Sequence, residues 1–319
     1  MTEPTPTPRD ATKAETKTAW PLLTVNILAY NRKDEVRQTL RELEGVDYPR
    51  EQLEIIVVDN DSSDGTKEMV EAEFPHVRLL DIHPNRAVAG WNAGFEAGRG
   101  DYFLVLDDDS CPQSGLKEAI TYLQQNPKVG ILACQIMGGP FTTQDWENKE
   151  EFVGFIGCGA LIRRDVVQAI GGYASWIHLY THEWEYGLRC LDAGFEIRYF
   201  EGCVVRHRAS QVNRSARRSR VYSTRNELLI VHRYFRTGRP LLLLRTVLHN
   251  ARFCRTEGWR SLFYILRAVG MFWREAPHLE QSFVKPQVQR QYVALYWSLQ
   301  PLLGSLFQQV SKRLKPLKG

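Results

Sequence analysis

The sequence predicts an α/β fold: a mostly parallel sheet with helices on both faces, followed by an α-helical C-terminal extension. Three observations carry this expectation. Short runs rich in Val, Ile and Leu alternate with helical stretches between residues 22 and 136, the order that produces parallel strands joined by crossover helices. Those runs are apolar nearly throughout, as strands covered on both faces must be. Beyond Pro240 the strand pattern stops, and long stretches of Leu, Val, Phe and Trp interspersed with Arg follow.

Taken in order, residues 1–19 are rich in Thr, Pro, Lys and Glu without an apolar core. They read as a disordered tail and not as a signal peptide. A strand at 22–28 leads into the loop Ala29, Tyr30, Asn31, Arg32, and a helix spans 34–43. The second buried strand, 54–58, ends in the polar turn 59–66, and a helix runs on through Phe74. A third strand covers 77–82, and the Gly-containing loop 85–92 opens a short helix. The run Tyr102, Phe103, Leu104, Val105, Leu106 is too short for a helix core and reads as a buried strand. It ends abruptly in Asp107, Asp108 and Asp109. Three adjacent carboxylates repel one another, so something positive is expected between them. A divalent cation with oxygen ligands, carrying substrate phosphates in its remaining positions, meets that need. The alternative is a solvated turn in which one Asp caps a helix beginning near Gln113. Residues 129–136 form a further strand. In open sheets of this kind, ligands bind at the carboxyl ends of the strands, where Asn31, Asp59, Asn60 and residues 107–109 all fall.

Composition narrows the class. The chain has 319 residues, 43% apolar and 24% charged, ordinary for a globular protein. The net charge of +4 is uneven: residues 204–226 hold seven Arg and no acid. Aromatic residues are sparse there and no nucleic-acid fold accompanies them, so a nucleic-acid partner is not expected. A mobile basic loop closing over a diphosphate fits better, followed by a helix at 222–235. Six Cys occur singly, with no CxxC pair. This argues against a zinc site or a disulfide framework and suits a reducing cytosol.

Four segments resemble the GT-A (Rossmann-like) fold of the family 2 glycosyltransferases, in the right order: 29–32, 56–66, 85–94 and 106–109. The third is similar to the rhamnosyltransferase-like branch, with Ala87 where a Gly is usual. The resemblance covers roughly residues 22–226. It implies a catalytic domain at 20–238, with a nucleotide-sugar half at 20–137 and an acceptor half at 138–238, and a helical extension at 239–319. It also implies that Ala29, Tyr30, Asn31, Arg32, Asp59, Asn60, Asn85, Gly90, Asn92, Asp107, Asp108 and Gly159 line the donor site. Asp59 and Asn60 match positions that contact the base. Asp64 and Gly65 read as turn and cap chemistry. Asp107 and Asp109 match the outer acids of the DxD motif, which with His207 would hold Mg2+ or Mn2+. Residues 155–164 resemble the family segment ending in Arg-Arg, and residues 182–195 its acidic helix. Glu183 falls on the catalytic base of inverting members, with His182 where an acid usually precedes it. Glu185 is the alternative base, and Arg189 is placed to pair with Glu185 at i,i+4. Arg225 and Asn226 match the family's Arg-Asn.

Past residue 240, stretches 241–253 and 259–273 read as helices with Arg on one face. Arg245 and Arg252 are seven apart, as are Arg260, Arg267 and Arg274, close to two helical turns. Apolar residues such as Leu241, Leu244, Val247 and Leu248, then Phe263, Ile265 and Phe272, occupy the remainder. Such a helix lies in a membrane interface or packs on the catalytic domain. Residues 291–311 are uncharged but are broken by Pro301 and Gly304, and the chain ends in a basic segment at 312–318.

The expected activity is therefore inverting, metal-dependent transfer of a sugar, rhamnose or another hexose, from a dTDP- or UDP-sugar. The acceptor would be a hydroxyl of a glycan or lipid-linked glycan in cell-surface polysaccharide synthesis. The expected location is the cytoplasm, peripheral on the inner face of the plasma membrane. Two rivals are a catalytically inactive nucleotide-sugar-binding protein and a nucleotidyltransferase. The second needs a Gly-rich phosphate loop after the first strand, and residues 29–32 supply none.

Overall fold

Strands β1 (Leu23–Ala29), β2 (Leu53–Asp59), β3 (Arg78–Asp81) and β4 (Tyr102–Asp107) form the parallel half of an eight-stranded sheet. The computed structural model describes residues 20–138, 153–210 and 215–298; the tail expected at 1–19 and the basic terminus at 312–318 lie outside them. Side chains of β4 alternate between two cores. Tyr102, Leu104 and Leu106 join one, Phe103 and Val105 the other, as the period of two requires. Each fully buried Leu, Val or Phe contributes roughly 1.5–3 kcal/mol, so a strand apolar on both faces settles only where helices cover both.

They do. On one face lie α1 (Lys33–Leu43), α2 (Thr66–Glu73) and α4 (Leu116–Gln125), through residues such as Val36, Leu40, Val70 and Ile120. On the other lie α3 (Trp91–Ala97), α5 (Arg164–Ile170) and α6 (His182–Asp192), through Trp91, Phe95, Val166 and Tyr186.

The second half of the sheet corrects the expectation of a mostly parallel sheet. Strand order is β3-β2-β1-β4-β7-β6-β8-β5, where β5 is Ser110–Ser114, β6 Val129–Met137, β7 Ala160–Arg163 and β8 Glu196–His207. Strand β7 runs antiparallel to both β4 and β6, β5 runs antiparallel to β8, and β6 and β8 are parallel. The sheet is mixed. Where a helix start near Gln113 was one reading, β5 intervenes and α4 begins at Leu116. Because β7 opposes both neighbours, β6 and β8 point the same way as β4. The end of β8 at His207 and the approach to β7 therefore reach the same edge as the carboxyl ends of β1 to β4.

The C-terminal helices are α7 (Ala216–Tyr234), α8 (Arg239–Ala251), α9 (Arg260–Glu275) and α10 (Pro286–Ser298). Leu228 and Leu229 of α7 bury Phe272 and Ala276, and α10 seats Val288 and Tyr292 against Leu188 and Phe235. The extension thus packs onto the α/β part of the fold with part of its apolar surface. Among the described residues, no helix is long and apolar enough to cross a membrane.

Close approach of α3 to β1 depends on Gly94: a Cβ there would lie 2.0 Å from Asn26 Oδ1, and Asn26 is fully buried while its Nδ2 donates to Trp91 O (3.0 Å). Gly94→Ala is expected to destabilise the protein by about 1–3 kcal/mol through overpacking, read as a lowered midpoint in thermal or urea unfolding.

Candidate active site

Two basic side chains of the chain itself reach the acid triplet. Arg32, from the loop after β1, places Nη1 2.9 Å from Asp108 Oδ1 and 3.3 Å from Asp109 Oδ2. His207, at the end of β8, places Nε2 3.1 Å from Asp109 Oδ1 and 3.9 Å from Asp107 Oδ2. The backbone N–H of Ser210 donates to Asp109 Oδ2 (2.8 Å), and Thr39 Oγ1 and Arg208 Nη2 donate to Asp108 O. Asp108 and Asp109 are buried, whereas the Asp107 side chain is 35% exposed.

These surroundings split the three carboxyls. Burial pushes Asp107 up, and the neighbouring Asp109 adds to this, against His207, His182 and Arg32. Burial also pushes Asp108 up to about 7, despite Arg32. At Asp109 burial acts in the same direction, but the hydrogen bond and charge of His207, the charge of Arg32 and the Ser210 N–H outweigh it and hold the group below the usual range.

The turn after β2 supplies a fourth carboxylate. Asp59 is buried, accepts from Ser62 N (3.0 Å), and is raised chiefly by that burial. Asp64 does what a turn residue is expected to do. It accepts from Lys33 N (2.8 Å) at the start of α1 and from Thr66 N (3.1 Å) at the start of α2, while Gly65 takes φ 85°.

Several residues expected at the donor site prove to hold loops. Asn60 Nδ2 donates to Asn85 Oδ1 and Ala87 O, and Asn60 Oδ1 accepts from Arg86 N, so its amide pins the 85–87 loop. Asn85 Oδ1 also accepts from Ala87 N. Asn92 exchanges two bonds with the Tyr173 backbone. A Cβ on Gly90 would meet Leu28 at 2.5 Å, and one on Gly159 would meet Ile136 at 2.6 Å, which is close packing within the fold. Ala29 is buried, with its carbonyl accepting from Asn60 N, while Tyr30 stands 42% exposed over the strand edge. Asn31 bridges to the β2 turn through Ser62 and Ser63. Ala87 takes φ 50°, the left-handed region a Gly enters without cost, which accounts physically for a Gly being usual there.

Helix α6 brings the acid expected as base. Glu183 Oε1 accepts from Gly157 N (3.3 Å), and Oε2 lies 3.2 Å from His182 Nδ1. His182 stacks on Trp91 (5.7 Å, 22°). Glu185 is fully buried, held by Arg189 (2.7 and 2.9 Å) and by the Tyr234 hydroxyl. That is the i,i+4 pair expected from the sequence, and it leaves Glu183 as the acid of this helix that faces the site. Tyr180 and Thr181, just before α6, both have positive φ (64° and 58°), a strain of about 1–3 kcal/mol each. Asn226 Nδ2 holds the carbonyls of Leu179 and Tyr180, and Arg225 fixes Asn226 while pairing with Glu275. The Arg-Asn pair is thus a brace for the turn that aims Glu183.

Among the described residues of the Arg-rich stretch, Arg206 lies in β8 and Arg217, Arg218, Arg220 and Arg225 lie in α7. Arg206 and Arg208 pair with Glu42 and Glu35, and Arg220 with Glu257, where α7 has already begun. Residues 211–214, within the expected mobile loop, lie outside the described residues.

Cys158 was not singled out in the sequence, and a lone Cys gives no signal for doing so. Its Sγ and one ligand atom each of Asp107 and His207 lie within 4.8 Å of one another. Carboxylate and imidazole suit a divalent cation, whereas a thiol is a soft ligand that neither Mg2+ nor Mn2+ prefers. Burial, then the charges of Asp107, Asp109 and Glu183, push the Cys158 thiol well above its ordinary value. The Asp107, His207 and Cys158 cluster and Glu183 therefore meet at neighbouring residues, Gly157 and Cys158.

Residues 24–176 match the family model Glycosyl transferase family 2. Glycosyltransferase AglE of Haloferax volcanii is 30% identical over 211 residues, covering 59% of this chain and 67% of that protein. The chain belongs to the family 2 glycosyltransferases. It is also similar to a probable glycosyltransferase, YdaM, of Bacillus subtilis, at 26% identity over 58% of this chain; the chain spans 50% of that relative's length. The fold of this family 2 glycosyltransferase is similar to that of mannosyltransferase PcManGT of Pyrobaculum calidifontis, solved with GDP-Man and Mn2+. The TM-score is 0.58 at 18% identity, covering 93% of this chain and 88% of that one.

Asp108 gives a pH test. Its folded value of about 7 lies above the ordinary 3.8, so its contribution to stability is present below the ordinary value and is lost as pH rises toward the folded one. Relative to the wild type, Asp108→Asn is expected to gain stability between about pH 5 and about pH 8, measured as the difference in urea midpoint at the two pH values without added metal.

Proposed function

We propose that the protein is an inverting, metal-dependent glycosyltransferase that moves a hexosyl unit from a nucleotide-sugar to a hydroxyl of a glycan or lipid-linked glycan in cell-surface polysaccharide synthesis. The observation that carries this reading is the junction at residues 157–158. The Gly157 N–H holds Glu183, and the next side chain approaches Asp107 and His207. An acid next to an anion-and-metal site is what displacement at an anomeric carbon needs. One carboxylate takes the proton of the attacking hydroxyl while a separate group receives the leaving diphosphate.

Each residue has its part in this reading. Glu183 Oε2 accepts the acceptor proton, with Oε1 held by Gly157 so that the carboxylate does not turn away. His182 beside it, stacked on Trp91, limits the space on that side. Asp59 and the exposed Tyr30 receive base and ribose. Arg32 restrains Asp108 and Asp109. Asp107 and His207, with Asp109 alongside and Cys158 bordering them, are the residues that would hold Mg2+ or Mn2+. Bound there, the ion supplies Lewis-acid stabilisation of the departing nucleoside diphosphate. Support for a sugar diphosphate comes from the GDP-Man and Mn2+ of the similarly folded mannosyltransferase. The 85–94 segment supports a 6-deoxyhexose such as rhamnose, carried on dTDP or UDP. Six free cysteines support action in a reducing, cytoplasmic compartment.

Two measurements test the reading. A thermal-shift panel of GDP-, UDP- and dTDP-sugars with Mn2+ is expected to give stabilisation by one nucleotide class; no shift with any of them refutes donor binding. With that donor, Glu183→Gln is expected to keep the shift while turnover falls by about 10²–10⁴. Unchanged turnover removes Glu183 from the role of base.

A further inference from the structure

Of the eleven large apolar side chains exposed among the described residues, eight lie between residues 241 and 273. Six of them, Leu244, Leu248, Trp259, Phe263, Leu266 and Trp273, are between 51% and 69% exposed. On α9, the positions 259, 263, 266 and 273 repeat at spacings of three, four and seven, with exposed Gly270 completing the series. Each residue turns a helix by about 100°. The stripe therefore stands roughly 150° round α9 from the buried set Ser261, Ile265, Ala268 and Phe272, which faces the protein. Helix α8 repeats the arrangement, with Leu244 and Leu248 opposite the buried Leu242 and Thr246. Both helices thus have two apolar faces, one packed on the protein and one turned outward. Such a continuous outward patch marks an interaction surface.

Charge identifies the partner. Residues 236–274 contain eight Arg and a single acid, Glu257, which is already held by Arg220. Arg260, Arg267 and Arg274 each follow a stripe position or its edge by one residue, so they form an exposed row beside the apolar stripe. A second copy of the same face would set these Arg rows against each other. The chain's own segment 299–319 carries four cations and no acid, so it repels the patch as well. A surface that is negative and apolar just beneath answers both features.

We propose that the outward face of α8 and α9 docks on an anionic phospholipid bilayer, with the stripe entering the headgroup boundary and the Arg row on the lipid phosphates. This face lies on the membrane and does not enter beyond the headgroup boundary. Glu275, at the end of α9, pairs with Arg225, which fixes Asn226 and the turn before Glu183. Docking therefore sets the orientation of the acceptor side of the site to the bilayer. The proposal concerns the surface alone and holds whether or not the reaction assigned above is correct.

The test is co-sedimentation of the full chain with phosphatidylglycerol or phosphatidylcholine vesicles at low and high salt. Binding to phosphatidylglycerol only, lost in high salt, is expected. The variant Arg260→Gln with Arg267→Gln and Arg274→Gln is expected to partition on the order of 100-fold more weakly, about fivefold per cation. The variant Phe263→Ser with Leu266→Ser should also bind more weakly, and circular dichroism should show both variants folded. No binding to phosphatidylglycerol at low salt, or binding by either variant as tight as that of the wild type, overturns the proposal. So does a lipid-free dimer that Phe263→Ser dissociates, or binding that emerges only once residues 299–319 are removed.

Discussion

Asp107, Asp108 and Asp109 follow a strand buried on both faces, and the repulsion among their carboxylates has to be met by cations brought from distant parts of the chain. Arg32 comes from the loop after β1, and His207 comes from the far end of β8. Neither reaches the triplet unless the sheet is assembled in its full order, with β1 beside β4 and β8 returning to the same edge. Assembly of the second half of the sheet and compensation of the triplet are thus one event. The compensation is also uneven. Asp109 is held charged, Asp108 is raised and enclosed, and Asp107 is left partly open to the site.

The same edge collects the backbone strain. Asn31, Asp61, Ala87, Tyr180, Thr181 and Ala209 have positive φ, and all lie in loops at this edge or just before α6. Such conformations persist where surrounding bonds over-determine them. Here those bonds are visible: Asn60 on the 85–87 loop, Asn92 on Tyr173, and Asn226 on the 179–180 carbonyls. The partly buried Asn92 and the buried Asn60 and Asn226 hold the loops around the carboxylates. Through Arg225 and Glu275 the last brace extends into α9, so the C-terminal helices belong to the site's support.

Much of this was legible in the sequence. The first four strands, the gathering of acids at their carboxyl ends, the turn role of Asp64 and the Glu185–Arg189 pair all follow from local pattern. What was not legible depends on partners far away in sequence. Strand β7 is only four residues long, too short for its direction to be inferred, and its antiparallel insertion makes the sheet mixed. Strand β5, Ser-Cys-Pro-Gln-Ser, has no strand propensity and forms because β8 offers an edge. A positive partner for the triplet was foreseen as an ion, whereas Arg32 and His207 already meet part of the need. Motif position gives Asn60 and Asn92 as donor-site residues but carries no record of the loop bonds that their amides make. The partners of Arg206, Arg208 and Arg220 were not legible because the acids, Glu42, Glu35 and Glu257, are distant in sequence.

If Asp108 is enclosed by Arg32 while Asp107 remains open, then of these two acids Asp107 is the one available to an ion. Electron paramagnetic resonance of Mn2+ with a nucleoside diphosphate separates the two directly, using the wild type, Asp107→Asn and Asp108→Asn. The wild type and Asp108→Asn are predicted to bind Mn2+ with the same spectrum, and Asp107→Asn to leave the ion free in solution. Retention of the bound spectrum by Asp107→Asn, with its loss in Asp108→Asn, would contradict the arrangement of charges described here.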